Sequence, residues 1–235
     1  MKSPILLFLF YFLINSAYSQ NDFYRYVVVE DDVTTGSKRI SSDTYYLPDD
    51  IIGTPYSDEI FYKGTVFENN APTIKDLFYR YNAFIDNIEV KKKLSDPDSK
   101  IFILKKDPNI LVKLNKEYLI FDEKINGYYQ ILFIGNNYKL YKKLYKKYFK
   151  PRTAKSSFEK DILATYKDYP KYYLVNTENE IYEFPDSKNK KLKTFGNKKP
   201  EIQKYVKNNR LNINEEDILI KVVRYFDTFD DASPQ

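Results

Sequence analysis

Side chains able to carry covalent or acid–base chemistry are few in this chain. Its 235 residues contain no His and no Cys, which removes the commonest general base and metal ligand, the thiol nucleophiles, and zinc-finger or iron–sulfur ligation. Six Gly in all leave no glycine-rich phosphate loop. Carboxylates remain, clustered at Asp49-Asp50, at Asp96 and Asp98, and at Glu215–Asp217. A glycosidase needs two carboxyl groups about 5–10 Å apart in space, and neighbours in sequence do not establish that. Asp96-Pro97-Asp98 lacks the glycine and distal Glu of a calcium loop. The three acids at 215–217 suit the start of a helix, where negative charge meets the positive end of the dipole. No catalytic residue, metal site or cofactor is therefore expected, and the chain reads as non-enzymatic.

Lysine and tyrosine offer a different chemistry, that of binding. From Lys139 to Arg152 there are six Lys and one Arg, with no acid between Tyr128 and Phe158. Written as one strand, Tyr138–Phe149 alternates so that Lys139, Lys143 and Lys147 share a face with Tyr141 and Tyr145. With Arg152 beyond it, that face could hold phosphate, sulfate or carboxylate groups while rings stack on sugars or bases. An anionic glycan, lipopolysaccharide or nucleic acid would fit such a face. The competing use is a solvated edge strand, whose lysines discourage edge-to-edge aggregation.

Two further sets of residues stand out. The tyrosine pairs Tyr45-Tyr46, Tyr128-Tyr129 and Tyr172-Tyr173 suggest a sugar platform. Adjacent strand residues point to opposite faces, however, so a ring in the core and a ring at the surface is the simpler expectation. Arg80 lies in an otherwise apolar strand. Burial of a guanidinium requires an acceptor, and Glu89, just past the turn at Asp86-Asn87, is placed to face it.

The elements that must carry these residues are mainly strands. Runs of apolar and β-branched residues at 64–67, 77–81, 88–90, 101–104, 110–114, 118–121 and 128–134 are punctuated by turn residues. Asn126-Gly127 has the composition of a type I′ hairpin. Segment 138–149 fits both helical and strand spacing, and its turn and aromatic content favour strand. Strands at 172–175 and 181–184 flank the turn at 176–179, and 156–169 reads as a helix or a long loop. Then the period changes. Pro200 suits a first helical turn, and Ile202, Tyr205 and Val206 form a stripe. Asn214 has the chemistry of an N-cap, after which Ile218, Val222, Tyr225, Phe226 and Phe229 follow helical spacing. The expected fold is α+β: an antiparallel meander or sheet followed by two short C-terminal helices.

Residues 1–19 have the three regions of a secretory signal peptide: Lys2, an apolar run at 5–14, and Ala17-Tyr18-Ser19 before Gln20. The apolar run is shorter than the ~20 residues that span a bilayer. Cleavage after Ser19 leaves no transmembrane segment in the expected mature chain, and without Cys there is no lipoprotein anchor. The expected organisation is a signal peptide (1–19), a partly ordered arm (20–52), one α+β domain (53–229) and a disordered tail (230–235). The expected location is secreted or periplasmic. A hydrophobic content of 43% and an aromatic content of 17% supply a core without disulfides. The net charge of +5 is mildly basic.

Several stretches carry a resemblance: Arg80-Tyr81-Asn82, residues 128–143, Tyr172-Tyr173-Leu174, and residues 192–227. In these the chain resembles exported proteins of Bacteroidota bacteria whose function is unknown. The resemblance covers roughly residues 53–229. It implies the same strands-then-helices architecture and a periplasmic or surface location, and it assigns no site residue. Taken together, the expectation is an exported binding protein of the cell envelope, its ligand an anionic glycan or other polyanion. An assembly protein docking a partner through a sheet edge is the second reading, and a carboxylate-dependent hydrolase the third.

Overall fold

A computed structural model describes residues 27–29, 51–156, 158–229 and 234. The expected signal peptide, most of the expected arm and nearly all of the expected tail lie outside these residues. The fold is α+β. Residues expected as a single domain are distributed between two compact units, one comprising Met1–Lys116 with Lys146–Lys167 and the other Glu117–Tyr145 with Asp168–Gln235.

The first unit is built on strands β1 (Val27–Val29), β2 (Tyr62–Glu68), β3 (Ala71–Asn82), β4 (Asn87–Lys91), β5 (Phe102–Leu104) and β6 (Ile110–Leu114). They lie in the order β1-β5-β4-β3-β2-β6, and the registered pairs are antiparallel. Asn69 and Asn70, with φ of 50° and 63°, join β2 to β3 in the two-residue turn that hairpins prefer. Asp76 (φ 64°) is the extra residue of a bulge facing β2, where the register shifts between Gly64 and Thr65. Gly64 is needed for close approach, because a Cβ there would meet the Tyr79 ring and the Lys113 carbonyl.

Two more strands of this unit, β10 (Lys146–Phe149) and β11 (Thr165–Asp168), form a separate small sheet. Segment 156–169, expected as a helix or a long loop, has no helix among its described residues and is loop up to the strand at its end, β11. Tyr148 and Tyr166 are anchored edge-on and tilted around Phe84 in the β3–β4 loop, with centroids 5.1–6.4 Å apart. Ile52 adds backbone hydrogen bonds with Ala164 and Tyr166.

The second unit contains β7 (Glu117–Asp122), β8 (Gly127–Ile134), β9 (Tyr138–Lys143), β12 (Lys171–Asn176) and β13 (Ile181–Phe184), in the order β7-β8-β9-β12-β13. Asn126-Gly127 does not form a two-residue turn. Asp122 pairs with Gly127 across a four-residue loop, and only Asn126 has positive φ (41°). The Asp122 carboxylate is the cause: it accepts the N–H groups of Lys124 and Ile125 and holds the loop in a tighter turn before the chain reverses. Asn82 does the same for Phe84 and Ile85 in the β3–β4 loop, where Asp86 takes φ 59°. The side chain entering each loop selects its length.

A helical turn at Lys188–Lys191 and a 3-10 stretch at Leu192–Lys198 lead into α1 (Lys199–Asn208), which has Pro200 in its first turn, and then α2 (Glu216–Phe226). The residue capping α2 is Glu215, not Asn214. Asn212 donates to the Glu215 side chain and its carbonyl accepts the Glu215 N–H, which starts the helix one residue later than the sequence suggested. Leu219, Val222, Val223 and Phe226 are buried with Ile202, Val206, Phe195 and, from the sheet, Tyr138, Leu140, Leu174 and Phe184. Ile218 and Tyr225 pack at the margin of that core.

The far end of α2 is tied to the β8–β9 turn. Asp227 accepts the N–H groups of Asn136, Asn137 and Tyr138 at 2.7–2.9 Å. Gly135 makes this possible, since a Cβ there would occupy the place of the carboxylate.

Candidate basic face and the fate of the lysine tract

Leu144 and Tyr145 interrupt the expected single strand 138–149. β9 ends at Lys143 in the second unit and β10 begins at Lys146 in the first. The lysine tract is therefore shared between two compact bodies. Lys139, Tyr141 and Lys143 remain together on one face of β9. Tyr145, 42% exposed, sits in the break, its carbonyl accepting the Tyr169 N–H. Lys147 projects from β10 over the Phe149 ring. Arg152 is exposed and pairs through its backbone with Ile162.

On the second unit, alternation in β9 sends Tyr138 and Leu140 toward the helices and Lys139, Tyr141 and Lys143 to the opposite face. Register then enlarges that opposite face. Tyr173 lies across from Tyr141, Lys171 from Lys143 and Val175 from Lys139. Tyr129, Tyr141 and Val175 form its buried centre, packed against Ile120, Ile131, Tyr173 and Ile181. Tyr173 meets the Tyr129 ring edge-on at 5.5 Å.

The aromatic and cationic parts of this face have separate tasks. Tyr141 is only 5% exposed, so its ring supports the face instead of stacking on a ligand. Burial, with Asp122 adding to it, pushes its phenol up to about 12. Lys143 donates to the Tyr128 carbonyl and lies 4.9 Å from the Tyr129 ring centroid. Lys171 is bridged to Glu183 at 2.8 Å, and the hydrogen bond to that carboxylate raises its pKa. Tyr173 is half-buried, the ring of this set most open to a ligand after the exposed Tyr145. Lys139, also half-buried, flanks it across β9 and β12.

Residues of the opposite parity carry a cluster that sequence reasoning missed. Lys142 faces the helices and bridges Glu216 at 2.6 Å, and Tyr172 donates its O–H to the same Glu216 oxygen at 2.7 Å. Burial and this carboxylate raise the Tyr172 phenol. Lys191, its stem buried, lies near the Tyr172 ring, and burial lowers its pKa. Glu216 was legible only as a helix-start acid. Its partners come from residues 44 and 74 positions earlier in a chain with no spacing rule to connect them.

The other singled-out side chains have local partners. Arg80 faces Glu89 in register and binds it at 2.6 Å, both side chains about nine-tenths buried. The guanidinium is clasped by the Tyr56 and Phe61 rings at 3.6 and 4.2 Å. Asp98 is bridged to Lys91, and Asp96 accepts the Lys93 N–H. Asp49-Asp50 and Tyr45-Tyr46 lie outside the described residues. Among the described residues, no group of three His, Cys, Asp or Glu converges in a way that could hold a metal ion, and no helix is long and apolar enough to cross a membrane. Compared with known protein families, curated proteins and solved structures, the chain matches none.

Proposed function

We propose that this chain is an exported, non-enzymatic binding protein that holds an anionic glycan or related polyanion on the basic face of its second unit. The observation that carries the reading is the β9–β12 register, which sets Lys139, Lys143 and Lys171 around Tyr141 and Tyr173 on one sheet face. Their ammonium groups supply point contacts to phosphate, sulfate or carboxylate groups, and Tyr173 offers an apolar surface between them. Tyr141 and Tyr129 keep the face rigid from beneath. Export rests on residues 1–19 and is tested by the N-terminal sequence of the secreted protein, expected to begin at Gln20.

Binding should be weak and released by salt. Three phosphate contacts on a flexible strand give a log–log salt slope of about −2. The triple variant K139E/K143E/K171E should abolish binding to lipopolysaccharide, an acidic polysaccharide and single-stranded nucleic acid. A titration of each at two salt concentrations checks this. Undiminished binding by the triple variant would sink the assignment to this face. The sheet-edge reading has less support, because β13, which ends the strand order, is four residues long and carries Glu183, features that protect an edge from further pairing.

A further inference from the structure

The break in the lysine tract leaves Arg152 and its neighbours on the first unit, where a separate surface takes shape. β10 and β11 are anchored by the Phe84–Tyr148–Tyr166 ring cluster. Between them, Arg152 and Ile162 exchange backbone hydrogen bonds at 2.8 and 2.9 Å, closing a loop on a rigid base. Phe158 stands on this loop 99% exposed. Ile162 and Leu163 at the base are 47% and 40% exposed, and Ile52, paired with Thr165 beside them, is 54% exposed. An isolated exposed apolar residue is ordinary on a protein surface; a fully bared ring on a braced loop above an apolar base is not.

Cations outnumber acids on and just before this loop. Asp161 accepts the Ala154 N–H at 2.7 Å and Glu159 the Lys155 N–H at 3.1 Å, both acids remaining exposed. Lys150, Arg152, Lys155 and Lys160 are all exposed and form no ion pair among the described residues. The two carboxylates are thus engaged by backbone N–H groups, and the four cations leave this stretch with a net positive charge. An exposed ring on a loop of net positive charge is complementary to an anionic lipid surface: cations meet headgroups, and the ring enters the headgroup–acyl boundary.

We propose that the loop closed by Arg152 and Ile162 is a docking finger that inserts Phe158 into an anionic membrane surface. Each cation near such a surface contributes roughly fivefold in affinity at low salt, and partial transfer of a Phe ring contributes on the order of tenfold. The finger is independent of the polyanion-binding face on the second unit.

The chain has no Trp, so F158W is a background-free reporter, and exposure of the site leaves the fold untouched. With the full mature chain, emission of F158W should shift to the blue on adding vesicles of phosphatidylcholine with phosphatidylglycerol, and stay unchanged with phosphatidylcholine alone. F158A should weaken cosedimentation with the anionic vesicles ~10-fold while retaining polyanion binding. K139E/K143E/K171E should lose polyanion binding while F158W in that background still shifts. Absence of a blue shift with anionic vesicles overturns the proposal, as does vesicle binding that F158A leaves intact. Self-association of the free protein that F158A abolishes would also overturn it, by making a second copy the occupant.

Discussion

Arg80 shows how a single polar residue can be accommodated in an apolar strand. Its charge is neutralised in register by Glu89, its planar faces are covered by Tyr56 and Phe61, and Asn82 donates a longer hydrogen bond to the other Glu89 oxygen. Such a pair adds little net stability over an apolar substitute, yet removing one partner strands the other charge in a dry setting. Replacing Arg80 with Ala should therefore cost about 3–5 kcal/mol in urea unfolding. A double replacement of Arg80 and Glu89 by Met and Leu should recover most of that loss. A double variant no more stable than the single would show that the rings and backbone contacts of Arg80, not the charge pairing, hold this part of the sheet.

At the scale of elements, the C-terminal helix is the piece whose removal would cost most. Phe226 is fully buried and touches the rings of Tyr138 and Phe195 at 4.7 and 5.0 Å, which joins α2 to both the sheet and the preceding helical segment. Truncation to Ala should destabilise the protein by about 3–5 kcal/mol, read from denaturant midpoints at constant slope. Ile218, packed only at the margin, should lose distinctly less on the same change. Asp227 then secures the helix end, three backbone N–H groups converging on its carboxylate where Gly135 leaves room. The strands obey a parallel logic: Asn82 and Asp122 each organise the loop that follows by accepting two N–H groups.

For the molecule as a whole, the abundance of tyrosine sets the alkaline limit of stability. Burial raises the phenols of Tyr79, Tyr141 and Tyr172, with Tyr141 at about 12. In the unfolded chain these groups ionise near ~10. Between those values the unfolded state has lost protons that the folded state still holds, so folding stability is complete below pH ~10 and declines as pH rises through ~12. Each withheld ionisation contributes a slope of about 1.4 kcal/mol per pH unit. Denaturant melts should show a plateau up to pH ~10 and a steep fall beyond it. Y141F should reduce that slope by about one proton, and a slope unchanged by Y141F would place its ionisation outside the folding equilibrium.

Local chemistry determined much of this protein from sequence alone. Alternation and turn residues marked the strands, with 110–114 and 181–184 matching in full, and a change of period marked the helices, because side-chain spacing follows backbone geometry directly. The partnership of Arg80 with Glu89 was legible for the same reason, a short turn leaving no other register. Tertiary structure decided what spacing cannot encode. Tyr138–Phe149 reads as one strand, but Leu144 and Tyr145 end the pairing, and the lysine tract is divided because β9 finds its neighbours in β8 and β12 while β10 finds β11. Tyr141 belongs to the basic face by alternation, yet it is buried because Tyr129 from the adjoining strand β8 and Tyr173 from β12, much later in the chain, flank it. Asn126-Gly127 lost its two-residue turn to the reach of the Asp122 side chain. The cluster of Lys142, Tyr172 and Glu216 exists only because a helix packs on the sheet: long-range burial brings together residues that no local rule relates.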